Sequence, residues 1–340
     1  MASQDMGSKA VRPAHDGAER KVPTWRAVLA RIMRVREAAL VGFILVVSLV
    51  LTLLTPTFLT TQNMRVILTG LALDAVIAVG MTMVLVSGGV DLSVGSVFAC
   101  SGIVVAKLFN LGLPAWAAVS GAILVALFWG FFSGFLITKV GISPLISTLG
   151  VMGMARGVVY VITSGRVLAG LPDGFQHIGQ GTTLGVPNVI WLAAIVVIAG
   201  DFLLRRSRVL RQVFYIGGNE RAARLSGINV NRVKLGVYIL IALLCGIAGI
   251  METSRFASAI SPMGTGKELT AISACVIGGA SMAGGEGTVL GGFLGLFLLG
   301  LIRDGLILND VSVYWQQLIQ AAILVLAVAF DVLTRRRRRV

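Results

Sequence analysis

Long apolar runs separated by short polar breaks fill the chain from residue 38 onward, most of them near the ~20 residues a helix needs to cross a hydrocarbon core. Clear candidates lie at 38–54, 64–87, 92–108, 115–138, 143–163, 188–204, 233–253 and 314–333. Two are softer: 268–283 is short and glycine-broken, and 288–303 is apolar but glycine-rich. The pattern predicts an all-α, polytopic transmembrane bundle of about ten spans, with eight or nine as the alternative counts.

Composition agrees with the pattern. Hydrophobic residues make up 56% of the 340, charged residues 13%, and mean hydropathy is +0.90, more apolar surface than one water-soluble core hides. Glycine, at 42 residues, exceeds its roughly 7% average. In lipid that excess points to close helix packing, and the G-x-x-x-G pairs Gly130/Gly134, Gly153/Gly157 and Gly291/Gly295 all sit inside apolar runs. Cys100, Cys245 and Cys275 fall in apolar stretches and read as packing residues, without a disulfide framework. His15 and His177 have no Cys, Asp or Glu partners at ligand spacing, so no metal site is expected.

The net charge of +14 is not spread as a nucleic-acid surface would be. It is gathered in three blocks that border apolar spans. Residues 1–37 carry eight Lys and Arg against four acids, residues 203–234 carry eight against Glu220 alone, and Arg335 to Arg339 close the chain. By the positive-inside rule all three blocks face the cytoplasm, which requires an even number of spans between them; six and then four satisfy this. The chain divides into a cytoplasmic tail at 1–37, a membrane domain at 38–333 with a cytoplasmic loop at 203–234, and a basic tail at 334–340. The segment 164–187 then lies outside. The first 37 residues show no isolated apolar stretch of a cleavable signal, so the first span is expected to act as an uncleaved anchor.

The loop 203–234 is a candidate contact surface. Within it Asn219 can cap a helix start, Glu220 suits the positive end of the helix dipole, and Gly227 supplies a left-handed stop. About two turns of helix result, marginal in water without support from this protein or a partner. Ala222, Ala223 and Leu225 offer a small apolar contact, flanked by the charges of Glu220, Arg221 and Arg224. The alternative is a surface helix lying on the membrane interface.

The segments GGNERAARLSGINVNRVKL (217–235), GGVDLSVGS (88–96), AISACVIGGASMAGG (271–285) and Tyr314-Trp315-Gln316-Gln317 together resemble the permease subunits of ribose, arabinose and xylose ABC importers. The similarity runs from about residue 40 to the last span. It implies a bacterial inner-membrane protein that carries a monosaccharide, forms a homodimer of permeases, meets ATP-binding subunits beneath it and receives a periplasmic sugar-binding protein above. Under the resemblance, Asn219, Glu220, Arg221, Ala222, Ala223, Arg224, Leu225 and Gly227 form the coupling helix that docks into the ATPase. No cofactor is expected on this chain; ATP and Mg would be used by the partner. The residues agree, because the nearest match to a P-loop, SPMGTGKE at 261–268, lacks the first Gly and the final hydroxyl that G-x-x-x-x-G-K-[ST] needs.

Charged and glycine-broken positions inside the spans supply the candidate pathway. Asp74 and Arg156 are the deepest charges; a mutual ion pair and an aqueous lining are the two readings. Gly88, Gly89, Asp91 and Ser93 mark an interrupted helix that either lines a cavity or forms a short turn capped by Asp91 or Ser93. A second break at Gly278, Gly279 and Ser281 echoes the first and suggests a trace of duplication, although the breaks stand six spans apart and do not fit an inverted five-plus-five division. Two other functions remain open from the residues: a branched-chain amino acid ABC permease and an ion-coupled secondary transporter built around Asp74. An enzyme is least supported, since no nucleophile–base pair or metal cluster is visible.

Overall fold

A computed structural model describes residues 36–339, with side chains placed for 37–329. The tail read at 1–37, apart from its last two residues, and the side chains of Arg335 to Arg339 lie outside that range.

The apolar runs fold as helices, and what separates them is how many sides each buries. Helix α1 (Arg36–Leu54) exposes most of its side chains and stands at the rim. Helix α2 (Thr61–Val86) is buried on every face from Ala75 to Val86, as expected of a helix that is apolar all round and enclosed by others. Helices α3 (Val94–Asn110) and α4 (Ala115–Phe135) pack together. A five-residue π turn, Leu136–Val140, extends α4 to Gly141, whose φ of 85° ends it. Helix α5 (Pro144–Thr163) lies against α3.

The segment 164–187, expected on the outer side, has structure of its own. It folds as helix α6 (Asp173–Gln180) and a two-residue hairpin, Thr182–Thr183 with Val186–Pro187. The Phe175 ring lies tilted against that of Phe109 with centroids 4.8 Å apart, and Leu168 pairs in a backbone bridge with Ala259. After α7 (Asn188–Arg206) come two short helices, α8 (Gln212–Gly218) and α9 (Glu220–Leu225). Helix α10 (Val230–Phe256) is the central strut and packs on α2, α3 and α4. Helices α11 (Lys267–Ile277), α12 (Val289–Leu308) and α13 (Val313–Arg339) complete the bundle.

Seven helices among the described residues are long and apolar enough to cross a membrane, and two shorter apolar segments, Val94–Asn110 and Val313–Ala329, accompany them. The span read at 268–283 is helical only in its first part. Its helix stops at Ile277, and 11 residues reach about 16 Å, roughly half of a hydrocarbon core. Glycines at 278, 279, 284, 285 and 287 take over from there, four of them at positive φ, which side chains resist.

Polar clasps fix which helix ends share a level. Thr288 donates to Glu37 at 2.6 Å, Arg205 pairs with both Glu37 and Asp201, and the amide of Leu290 donates to Asp201. These join the starts of α1 and α12 to the end of α7. At the other end Asn63 donates to Asp304 at 2.7 Å and Asn309 to Thr55 at 3.2 Å. The start of α1, the loop after α7 and the break before α12 therefore share one end of the bundle.

The G-x-x-x-G pairs divide. A methyl group at Gly130 would lie 2.5 Å from Ala242 Cβ and one at Gly295 2.1 Å from the carbonyl of Ala274, so these pairs are spent inside the subunit. At Gly153 and Gly157 nothing lies within 4 Å.

Candidate functional site

Helix α9 forms as its sequence dictates. The Asn219 side chain accepts from the amide of Ala222 at 2.9 Å, Glu220 occupies the first turn, and Gly227 turns the chain at φ 83°. Support comes from within: Ala223 is buried with Ile216 and Val230 in a small cluster of its own. Glu220 accepts from Arg224 and from Lys234, both at 2.7 Å, and hydrogen bonding to Lys234, then Arg224, holds its carboxyl below the ordinary glutamate range. The apolar contact read as Ala222, Ala223 and Leu225 is thus corrected. Ala223 faces inward, whereas Leu225 is 85% exposed beside the exposed Arg221 and Arg224. A large apolar side chain held in water on a pinned helix is suited to enter a groove on another protein.

The base of that unit is joined to both helix breaks by backbone alone. A Cβ on Gly217 would stand 1.9 Å from the carbonyl oxygen of Val86 and 2.5 Å from the nitrogen of Gly285, while the Gly285 amide donates to that same carbonyl at 2.8 Å. A Cβ on Gly284 would be 2.8 Å from the Cα of Gly217 and 2.9 Å from that of Gly88. The end of α2, the break after α11 and the end of α8 thus meet in a three-way contact that only glycine permits. The two breaks that echo each other in sequence touch in space. Within the first, Asp91 accepts from the amide and hydroxyl of Ser93 at 2.8 and 2.6 Å, forming the capped turn, and Tyr238 donates to the carbonyl of Val90 at 3.2 Å. Asp91, Ser93 and Ser281 are buried.

The N-terminal end of α11 is different. Lys267 donates to Asp74, from a position 193 residues further along the chain, and its ammonium lies 4.9 Å from the centre of the Phe98 ring. This pair borders a cavity of about 490 Å³ between α2, α11, α12 and α13, whose other polar lining includes Thr270, Arg303, Gln316, Gln317 and Gln320. Arg303 lies in the last turns of α12 and Gln317 in the first turns of α13, so the cavity occupies the half of the bundle away from α9.

The mutual ion pair between Asp74 and Arg156 is corrected: Asp74 takes Lys267, and the Arg156 guanidinium donates to the carbonyls of Ser261 and Met263 at 2.8 and 2.9 Å. It holds the loop 257–266, which dips back from the end of α10 to start α11; Thr163 and Ser261 share a hydroxyl bond at 2.8 Å. The sequence-derived pathway residues therefore fall in three places. Asp74 lies in the cavity, Arg156 at the inserted loop, and Gly88, Gly89, Asp91, Ser93, Gly278, Gly279 and Ser281 in and around the two breaks. Lys267, Arg303 and Gln317 were missed. Lys267 and Arg303 each stand at the border of a softly defined apolar run, and a charge there was the available signal.

A family model described as branched-chain amino acid transport system / permease component matches residues 63–328. The chain is 39% identical over 310 residues to the ribose import permease protein of Escherichia coli (strain K12), covering 90% of this chain and 96% of that one. It is 40% identical over 291 residues to the ribose import permease protein of Bacillus subtilis (strain 168), covering 85% and 90%. To the L-arabinose transport system permease protein of Escherichia coli (strain K12) it is 35% identical over 284 residues, covering 84% and 87%. No solved structure matches the chain.

Proposed function

We propose, because this chain belongs to the family described as branched-chain amino acid transport system / permease component, that it is the membrane-spanning subunit of an ATP-driven, binding-protein-dependent importer of a pentose. The relatives named for ribose and arabinose favour a sugar over a branched-chain amino acid. It is a transport subunit and not an enzyme; ATP and Mg are used by a separate ATP-binding subunit, and a periplasmic sugar-binding protein delivers the solute.

Ten crossings fit this reading, with α11 and its glycine break together making one, and both termini in the cytoplasm of a bacterial inner membrane. Support comes from the basic loop sharing one end of the bundle with the start of α1 and the break before α12. A homodimer is supported by the open Gly153/Gly157 face of α5, where a second backbone could approach closely.

The observation that carries the coupling role is mechanical. Helix α9 offers an exposed apex of Leu225, Arg221 and Arg224, while its base is continuous with Gly217, which touches both helix breaks through backbone. A push on the apex reaches two interrupted helices without passing through a flexible side chain. The test is ATP-dependent uptake of D-ribose and L-arabinose by the permease, ATP-binding subunit and binding protein reconstituted together, comparing wild type with Leu225→Asp. Loss of uptake with normal insertion is expected. Undiminished uptake by Leu225→Asp would refute the docking role.

A further inference from the structure

We propose that the cavity between α2, α11, α12 and α13 is a transient binding site for the transported sugar inside a single permease subunit. Arg303, Gln317 and Gln320 take the hydroxyls above a floor made by the Lys267–Asp74 pair. The proposal rests on the permease reading and adds the place where this chain touches its solute.

The volume, about 490 Å³, falls within the roughly 300–1,000 Å³ of small-molecule sites. Its lining is mainly aliphatic with a few convergent polar groups, the usual make-up of such a site. Among the described residues no hydrogen bond or ion pair holds Arg303 or Gln317, and an unpaired guanidinium at membrane depth must face water, a ligand or a partner.

The chemistry of the lining selects the ligand class. Arg303 is donor-only, Asp74 contributes acceptor oxygens, and Gln317 and Gln320 offer both kinds of group, with Gln320 already donating to Thr270 at 2.8 Å. Asp74 is already neutralised by Lys267, which leaves Arg303 as the uncompensated charge among these lining residues and disfavours a bare cation. Hydroxyls donate and accept at once, so a neutral polyhydroxylated solute pairs with all four.

Placement adds direction. The floor is the N-terminal end of a helix that begins inside the bundle, the arrangement that discontinuous helices use to present a solute site near the midplane. The far end of the same helix is closed by the backbone contacts of Gly217, Gly284 and Gly285. Under the proposed orientation the site is open to the side of the sugar-binding protein and shut toward the cytoplasm.

The native cysteines Cys100, Cys245 and Cys275 are all buried, which leaves a quiet background for a cysteine reporter. Gln317→Cys, and Thr270→Cys as a deeper second reporter, are placed in the reconstituted complex and labelled from outside with a membrane-impermeant cationic methanethiosulfonate. Both should react, and D-ribose or L-arabinose at twice its dissociation constant should slow the reaction about threefold while L-leucine does not. Adding Arg303→Gln should remove most of that protection. Equal rates with and without sugar at both positions, in a complex whose wild type takes up the sugar, would overturn the site and leave the permease reading standing. Equal rates with no uptake by the wild type would overturn both. Reaction with a lipid-soluble maleimide but not with the impermeant reagent would show a lipid-facing crevice and also refute the site.

Discussion

The two ends of helix α11 lie about 16 Å apart along one short helix and are built on opposite principles. At the end after Ile277, three segments meet through glycine backbone at distances that leave no room for a methyl group. At the end before Lys267, charged and amide side chains stand among aliphatic ones around a cavity large enough for a small solute. The first has no space and no side-chain freedom; the second has both. Interiors packed to contact switch between discrete arrangements and do not deform smoothly. A close-packed joint therefore suits transmission of force, and a roomy chamber with a few polar groups in its wall suits reception of a solute.

The sharpest way to break this contrast is to put the same small insult at each end. Gly217→Ala drives a methyl group into the Val86 carbonyl and disturbs the Gly285–Val86 hydrogen bond, so a loss of about 4 kcal/mol is expected, from overpacking plus one unsatisfied buried backbone group. The adjacent Gly218→Ala meets nothing within 4 Å and should change stability by less than about 0.5 kcal/mol. Thermal unfolding in detergent, followed by size-exclusion recovery, reads both; equal Tm values for the two variants would remove the close-packed joint from the account.

At the cavity end, Lys267→Met strips Asp74 of its partner. In a sealed interior that costs about 3–5 kcal/mol, but the pair borders a cavity large enough to hold water, so about 2 kcal/mol is expected here. The double variant Lys267→Met, Asp74→Leu should recover most of it. A full 5 kcal/mol loss in the single variant would mean that the chamber is dry.

Arg156→Gln tests the loop that starts α11. Two charge-assisted hydrogen bonds to carbonyls are weakened, and a loss of about 1–2 kcal/mol is expected, with faster hydrogen exchange confined to 257–266. Exchange spread evenly over the bundle would contradict a local clamp.

Glu220→Gln carries the smallest stability effect, under about 1 kcal/mol, because the Glu220 carboxylate and Arg224 are exposed and screened, although Lys234 is largely covered. Its carboxyl is held below the ordinary glutamate value, so its contribution is complete above that value and is lost only as pH falls through the lowered one. Wild-type uptake between about pH 6 and 8 should therefore show no step from this group. A Glu220→Gln variant whose uptake acquires or loses a pH step in that window would reassign the titration.

Much of the coupling unit was legible. Asn219, Glu220 and Gly227 specify a helix and its ends through contacts within four residues, and the structure follows them. What could not be read was which side of that helix would be inside: Ala223 finds Ile216 and Val230 only when α8 and α10 close around it. The pathway residues were legible as a set of oddities and not as a place. Asp74 looked for a cation, and Arg156 and Lys267 were both available in the sequence.

Sequence alone determined the solvent, most of the long helices, the clustering of basic charge and the family. Each of these depends on local length, hydropathy or motif, and is insensitive to how helices are arranged. Tertiary structure decided that Asp74 meets Lys267, that two echoing glycine breaks touch a third glycine from the basic loop, and that one helix stops halfway. Those outcomes depend on which surfaces pack together in three dimensions, and in lipid, where every helix is apolar, the hydropathy pattern carries little information about that choice.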